Sequence, residues 1–173
     1  MKQLLIILAI IIAGGVLLTE NQENNIVIPN NSLRLRIVPH SNAPEDREVK
    51  FLIRDLLEKT LPRLLGKART LDNAKEVIEE NLDYIETKVS EVLKPLNQTF
   101  TISHGRNYFP TKVFKGVIYN SGEYDSLVIT IGDGKGDNWW CVLFPPLCSL
   151  ERKENIDEVE YQFFVSRIIN KFK

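Results

Sequence analysis

Both tryptophans, both cysteines and three of the nine glycines fall within residues 132–148, GDGKGDNWWCVLFPPLC, so any chemistry the chain performs is weighed there first. Cys141 or Cys148 could act as a nucleophile if His40 or His104 approached as its base, the arrangement of a thiol-dependent hydrolase. Sequence does not bring either histidine to either cysteine. A Cys2His2 zinc site does not fit, because six residues separate the cysteines and 64 positions separate the histidines, unlike the usual ligand spacing. Gly132-Asp133-Gly134-Lys135-Gly136 has the glycines and the cation of a phosphate-cradling loop. Such a loop opens a helix, whereas Asn138-Trp139-Trp140-Cys141-Val142 continues as a strand, so nucleotide binding is excluded and a mobile or partner-binding hairpin loop is expected. Asp133 and Asp137 lack the bidentate Glu and the periodicity of a calcium hand. No Gly-x-Ser-x-Gly or His-Glu-x-x-His occurs. The residues point to no metal, no cofactor and no catalytic set.

Rigid recognition is the chemistry they do suit. Adjacent Trp139 and Trp140 face opposite sides of a strand, so one can enter the core while the other meets a partner or a covering element. Phe109-Pro110-Thr111-Lys112 and Phe144-Pro145-Pro146-Leu147 each join an aromatic to a proline, giving stiff apolar corners that lose little entropy on binding. Tight loop packing would use the same corners.

The elements that must position these residues follow from periodicity. Residues 33–38 alternate apolar and charged, the signature of a strand with one wet face, and Pro39 ends it. Asn42 with Glu45 three residues on, and Pro44 in the first turn, reads as a capping box for a helix carrying Val49, Leu52, Ile53, Leu56, Leu57 and Leu61. Pro62 should kink or end that helix, with Gly66 as its stop. Thr70 or Asp72 caps a second helix whose stripe runs from Leu71 to Leu93, with a solvated acidic face opposite. Residues 99–103, 112–119, 127–131 and 139–144 read as four strands, and the glycines at 122 and 132–136 mark turns of an antiparallel meander. Residues 151–173 close the chain as a docking helix. The expected fold is α+β, an antiparallel sheet of about five strands with two or three helices packed on one face.

The ends and composition set the compartment. An apolar run over residues 4–18 follows Lys2 and gives way at once to polar residues 20–25, so residues 1–19 read as a signal peptide or N-terminal anchor. As a helix the run rises only about 22 Å, short of the roughly 30 Å hydrocarbon core, which favours the signal peptide. Residues 20–32, rich in Asn, read as a flexible tether, and residues 33–173 as a single globular domain. With 22 basic and 23 acidic residues the chain has no excess charge to grip nucleic acid. Export selects an oxidising compartment, in which a Cys141–Cys148 disulfide is expected, two inert buried thiols being the alternative. Closing so short a loop contributes about 2 kcal/mol.

Leu33-Arg34-Leu35-Arg36-Ile37-Val38, Ser41-Asn42, Pro44-Glu45-Asp46, Phe109-Pro110-Thr111-Lys112, Gly122-Glu123-Tyr124, Gly134-Lys135-Gly136 and the run Asn138 to Cys148 together resemble the stage II sporulation protein R family. The resemblance covers about residues 33–150. It implies a signalling protein made in the forespore and exported into the space between the two spore membranes. There it would activate a membrane-embedded aspartic protease, stage II sporulation protein GA, which cleaves the precursor of the mother-cell sigma factor sigma-E. On that reading the chain is a ligand and not an enzyme, with no small-molecule substrate. Its partner-binding candidates are Phe109, Lys112, Trp139, Trp140 and Phe144. The alternative is an exported thiol-dependent or wall-modifying hydrolase, and a structural protein of the intermembrane space is a third class.

Overall fold

The computed structural model describes residues 26–148 and 156–172, so the segment read as a signal or anchor, residues 1–19, lies outside the described residues. The chain joins the fold earlier than its Asn-rich composition suggests. β1 (Ile26–Val27) pairs in parallel with a later strand and Ile28 is fully buried, so from residue 26 the expected tether is part of the fold.

β2 (Leu33–Val38) turns Leu33, Leu35 and Ile37 into the main core at 0–1% exposure. α1 (Pro44–Leu65) covers them with Ile53, Leu57, Leu61 and Leu65. The capping box does not form. Ala43 is the N-cap, without a side-chain cap, because the Asn42 side chain accepts from the Asp137 N–H. Ser41 ties the entry to the first turn, its hydroxyl accepting from the Ala43 N–H at 3.1 Å and donating to Asp46 at 2.5 Å. Pro62 has no N–H for the helical ladder, yet α1 runs on to Leu65 because Leu61 and Leu65 are both buried against the core.

The expected second helix is two. α2 (Leu71–Glu80), capped by Thr70, and α3 (Leu82–Leu93) meet at Asn81, whose side-chain amide donates to the Val77 carbonyl at 2.8 Å. A short polar side chain competing for helical carbonyls breaks the run there. The break still leaves Ala74, Ile78, Ile85, Val89 and Leu93 all at 0% exposure.

β3 (Phe100–Phe109), β4 (Lys112–Phe114), β5 (Val117–Tyr119), β6 (Gly122–Ile131) and β7 (Trp139–Phe144) follow, then α4 (Glu158–Lys171). They do not form one antiparallel meander. A four-stranded sheet has the order β3-β6-β2-β7, with β2 parallel to β6 and antiparallel to β7, so the sheet is mixed. β1, β5 and β4 make a second, three-stranded sheet. The region read as one strand over residues 112–119 is a hairpin, turned at Lys115 (φ 46°) and Gly116 (φ 69°), the positive angles a tight hairpin requires.

The fold is α+β, with α1, α2 and α3 packed into the main core beside the large sheet. A second core joins Ile28, Val117, Tyr119 and Val142 to Tyr161, Val165 and Ile169 of α4, so the fourth helix covers the small sheet instead of joining the others. Inside it the Tyr119 and Tyr161 hydroxyls share a 2.7 Å hydrogen bond. Among the described residues no helix is long and apolar enough to cross a membrane.

Candidate functional site

Because side chains alternate along β2, burying Leu33, Leu35 and Ile37 on one side sends Arg34 and Arg36 to the other. That face is not wet at Arg34. The side chain is 3% exposed, and its guanidinium carbon lies 3.3 Å from the centre of the Tyr124 ring and 5.5 Å from that of Phe109. Arg36 follows, 5.5 Å from Phe109 and 5.4 Å from Trp140. Phe109 meets Trp140 edge to face at 5.0 Å and Tyr124 at 6.0 Å. The result is a layer of alternating guanidinium and aromatic groups drawn from β2, β3, β6 and β7. Phe109 stands opposite Gly122 across the β3–β6 ladder, and the atoms nearest to a side chain at Gly122 would be those of the Tyr124 ring, 3.4 Å from its Cβ.

Arg34 is held by rings more than by hydrogen bonds. Its Nε donates to Ser32 Oγ and its Nη1 to the Asn120 carbonyl, both at 3.4 Å, while Nη2 has no partner. Burial pushes its pKa below the ordinary guanidinium value, opposed by the nearby Tyr124 and Tyr119. Arg36, lowered by burial as well, donates to the Tyr108 carbonyl at 3.4 Å, and its Nε is unpartnered. Beside this layer opens a cavity of about 130 Å³ whose lining includes Arg34, Phe109, Lys112, Phe114, Tyr119 and Trp140.

The structure therefore divides the residues proposed for recognition. Phe109, Lys112 and Trp140 come together around the cavity. Trp139 turns the other way and packs on the helical core, and Phe144, 5% exposed, meets Phe172 edge to face at 5.0 Å. Arg34, Arg36 and Tyr124 escaped the sequence reading because cations alternating with leucines look like a solvated face. The only signal was that both cations are arginines, the cation that stacks on rings.

Cys141 and Cys148 are joined by a disulfide, their Cα atoms 5.1 Å apart, and the enclosed corner is closed by a 3.0 Å bond from the Leu147 N–H to the Val142 carbonyl. No thiol is left for His40 or His104 to activate. His40 Nδ1 instead accepts from the Asp133 N–H at 2.9 Å.

That bond belongs to a clasp. Since β6 and β7 flank β2, residues 132–138 must cross the end of β2, and they lie on the segment that continues it. Lys135 N–H donates to the His40 carbonyl at 3.0 Å, Gly136 N–H to the Pro39 carbonyl at 3.1 Å and Asp137 N–H to Asn42 Oδ1 at 2.6 Å. Buried Lys50 donates to the Asp137 carbonyl at 2.8 Å. A Cβ on Gly136 would run into the Ser41 carbonyl, so glycine is needed for backbone to lie on backbone. The loop read as mobile or partner-binding is fastened to the fold, with its amides already used. Among the described residues no cluster of His, Cys, Asp and Glu could hold a metal.

Fold and site define a disulfide-bonded α+β protein whose main sheet is walled by helices on one side and by a guanidinium–aromatic layer on the other. Residues 29–154 match the family model described as Stage II sporulation protein R (spore_II_R). Stage II sporulation protein R of Bacillus subtilis (strain 168) is 37% identical over 135 residues, covering 77% of this chain and 59% of that protein. The chain belongs to the stage II sporulation protein R family. It spans about 59% of the length of that curated relative. No solved structure matches it.

Proposed function

We propose that the chain is an exported signal of sporulation, made in the forespore, that activates the membrane-embedded aspartic protease stage II sporulation protein GA and so triggers cleavage of the sigma-E precursor in the mother cell. Membership of a sporulation family supports the setting. The observation that carries the ligand role is the gathering of Phe109, Trp140 and Lys112 around one cavity, on rings already stacked and immobilised. Preorganised aromatic anchors spend little entropy on docking and tend to dominate interfaces. The competing thiol-hydrolase reading lacks its nucleophile, since both sulfurs are bonded.

The test co-produces the full chain, the protease and the sigma-E precursor in a host that has none of them and follows precursor cleavage. Cleavage should require both proteins and should fall at least tenfold with Trp140→Ala or Lys112→Glu while the exported chain stays at its usual level. Cleavage without the chain would sink the proposal.

A further inference from the structure

We propose that the cavity beside Arg34 is a binding site for a carboxylate carried on a short apolar stem. The site is built around an unanswered cation. Arg34 is 3% exposed, lines the cavity and keeps Nη2 without a hydrogen-bond partner, and its two bonds are both 3.4 Å long. Among the described residues it forms no ion pair with any carboxylate. Buried charges are as a rule paired, so a guanidinium with ring contacts and no carboxylate beside it suits an anionic ligand. The Tyr124 ring covers one flat face of the guanidinium. On the edge, Nε and Nη1 hold only those two long bonds, which a carboxylate could replace, since the planar fork of a guanidinium matches it.

The cavity narrows the choice of anion. Its walls include the rings of Phe109, Phe114 and Trp140, and a second cation, Lys112, lies exposed on its lining without an ion pair among the described residues. Two cations with no acid select a negative ligand, and aromatic walls select one with carbon behind its charge. Phosphate has no such stem. A volume of about 130 Å³ is a little below that of an engineered apolar cavity, about 150 Å³, that takes up benzene, so the group is small: a short free acid, or the tip of an acidic side chain. The inference concerns this pocket's chemistry and holds whichever protein is the partner.

The experiment titrates the purified full-length chain, labelled with ¹⁵N, and follows the Arg34 Nε–H and Trp140 indole resonances. The probes are propionate, propionamide, inorganic phosphate, and an alanine peptide with one central glutamate against the same peptide with glutamine. We expect saturable shifts at both resonances with propionate and with the glutamate peptide, and none with propionamide, phosphate or the glutamine peptide. Response to the peptide alone would place the carboxylate on a protein, and response to propionate alone would make the ligand a free acid. Arg34→Gln should weaken binding about tenfold or more, the loss of a charge-assisted bond. Should that variant fail to fold, Lys112→Gln, at an exposed position, should weaken it severalfold. Equal response to propionate and propionamide, tighter binding of phosphate, or an unmoved Arg34 resonance would overturn the proposal. Because no protease is present, failure here leaves the signalling proposal untouched.

Discussion

Tyr124 serves Arg34 with its ring and the backbone with its hydroxyl, which lies 3.0 Å from the Asn120 carbonyl and 3.2 Å from Asn30 Oδ1. The two contributions separate by substitution. Tyr124→Phe should cost about 1 kcal/mol in denaturant unfolding, the worth of a hydrogen bond, because the ring remains over the guanidinium. Tyr124→Leu should cost about 2 kcal/mol more, since a desolvated cation then loses its aromatic face. The two tryptophans should part company as well. Trp139→Ala removes a ring from the helical core and should lower stability by about 2–4 kcal/mol, whereas Trp140→Ala should cost less than half as much and yet abolish precursor cleavage. Thermal melts read beside the cleavage assay decide it. That the pair splits between faces was legible from strand alternation alone. Which of them joined Phe109 was not, because it depends on β7 lying next to β2, a pairing set by residues about a hundred positions apart.

Among the elements, the crossing of β2 by residues 132–138 makes the sharpest prediction. Gly136→Ala would press a methyl against the Ser41 carbonyl and should cost about 1–3 kcal/mol, with faster hydrogen exchange at residues 39–42. Lys135→Ala should change stability by no more than about 0.5 kcal/mol, since Lys135 and its 2.8 Å partner Asp133 are both exposed. A phosphate-binding loop would reverse the order of functional importance, with the lysine as the sensitive position. β2 and β7 were readable to the residue from their composition. β3 was read only over its first part, since His104, Gly105, Arg106 and Asn107 carry no apolar pattern and are strand because β6 pairs with them along the whole ladder. The order of strands was hidden for a related reason: glycine turns resemble hairpins locally, while the insertion of β2 between β6 and β7 is a long-range event.

At the scale of the whole molecule, the large sheet separates two cores, and β7 contributes to both, Cys141 and Leu143 to one and Val142 to the other. The disulfide fastens the strand at this junction to Cys148. Replacing both cysteines by serine should lower stability by about 2 kcal/mol, and the unaltered chain should take up a thiol reagent only after reduction. Rapid labelling without reductant would reopen the thiol-hydrolase reading.

The place of β2 also governs when the molecule can come into being. Its two neighbours are β6 and β7, ending at residues 131 and 144, so a chain delivered N-terminus first presents its central strand long before either flank has emerged. Until then Leu33, Leu35 and Ile37 lack both of the strands between which they settle. The large sheet can therefore close around its inner strand only once roughly the last quarter of the sequence is present, whatever the helices before it have already formed.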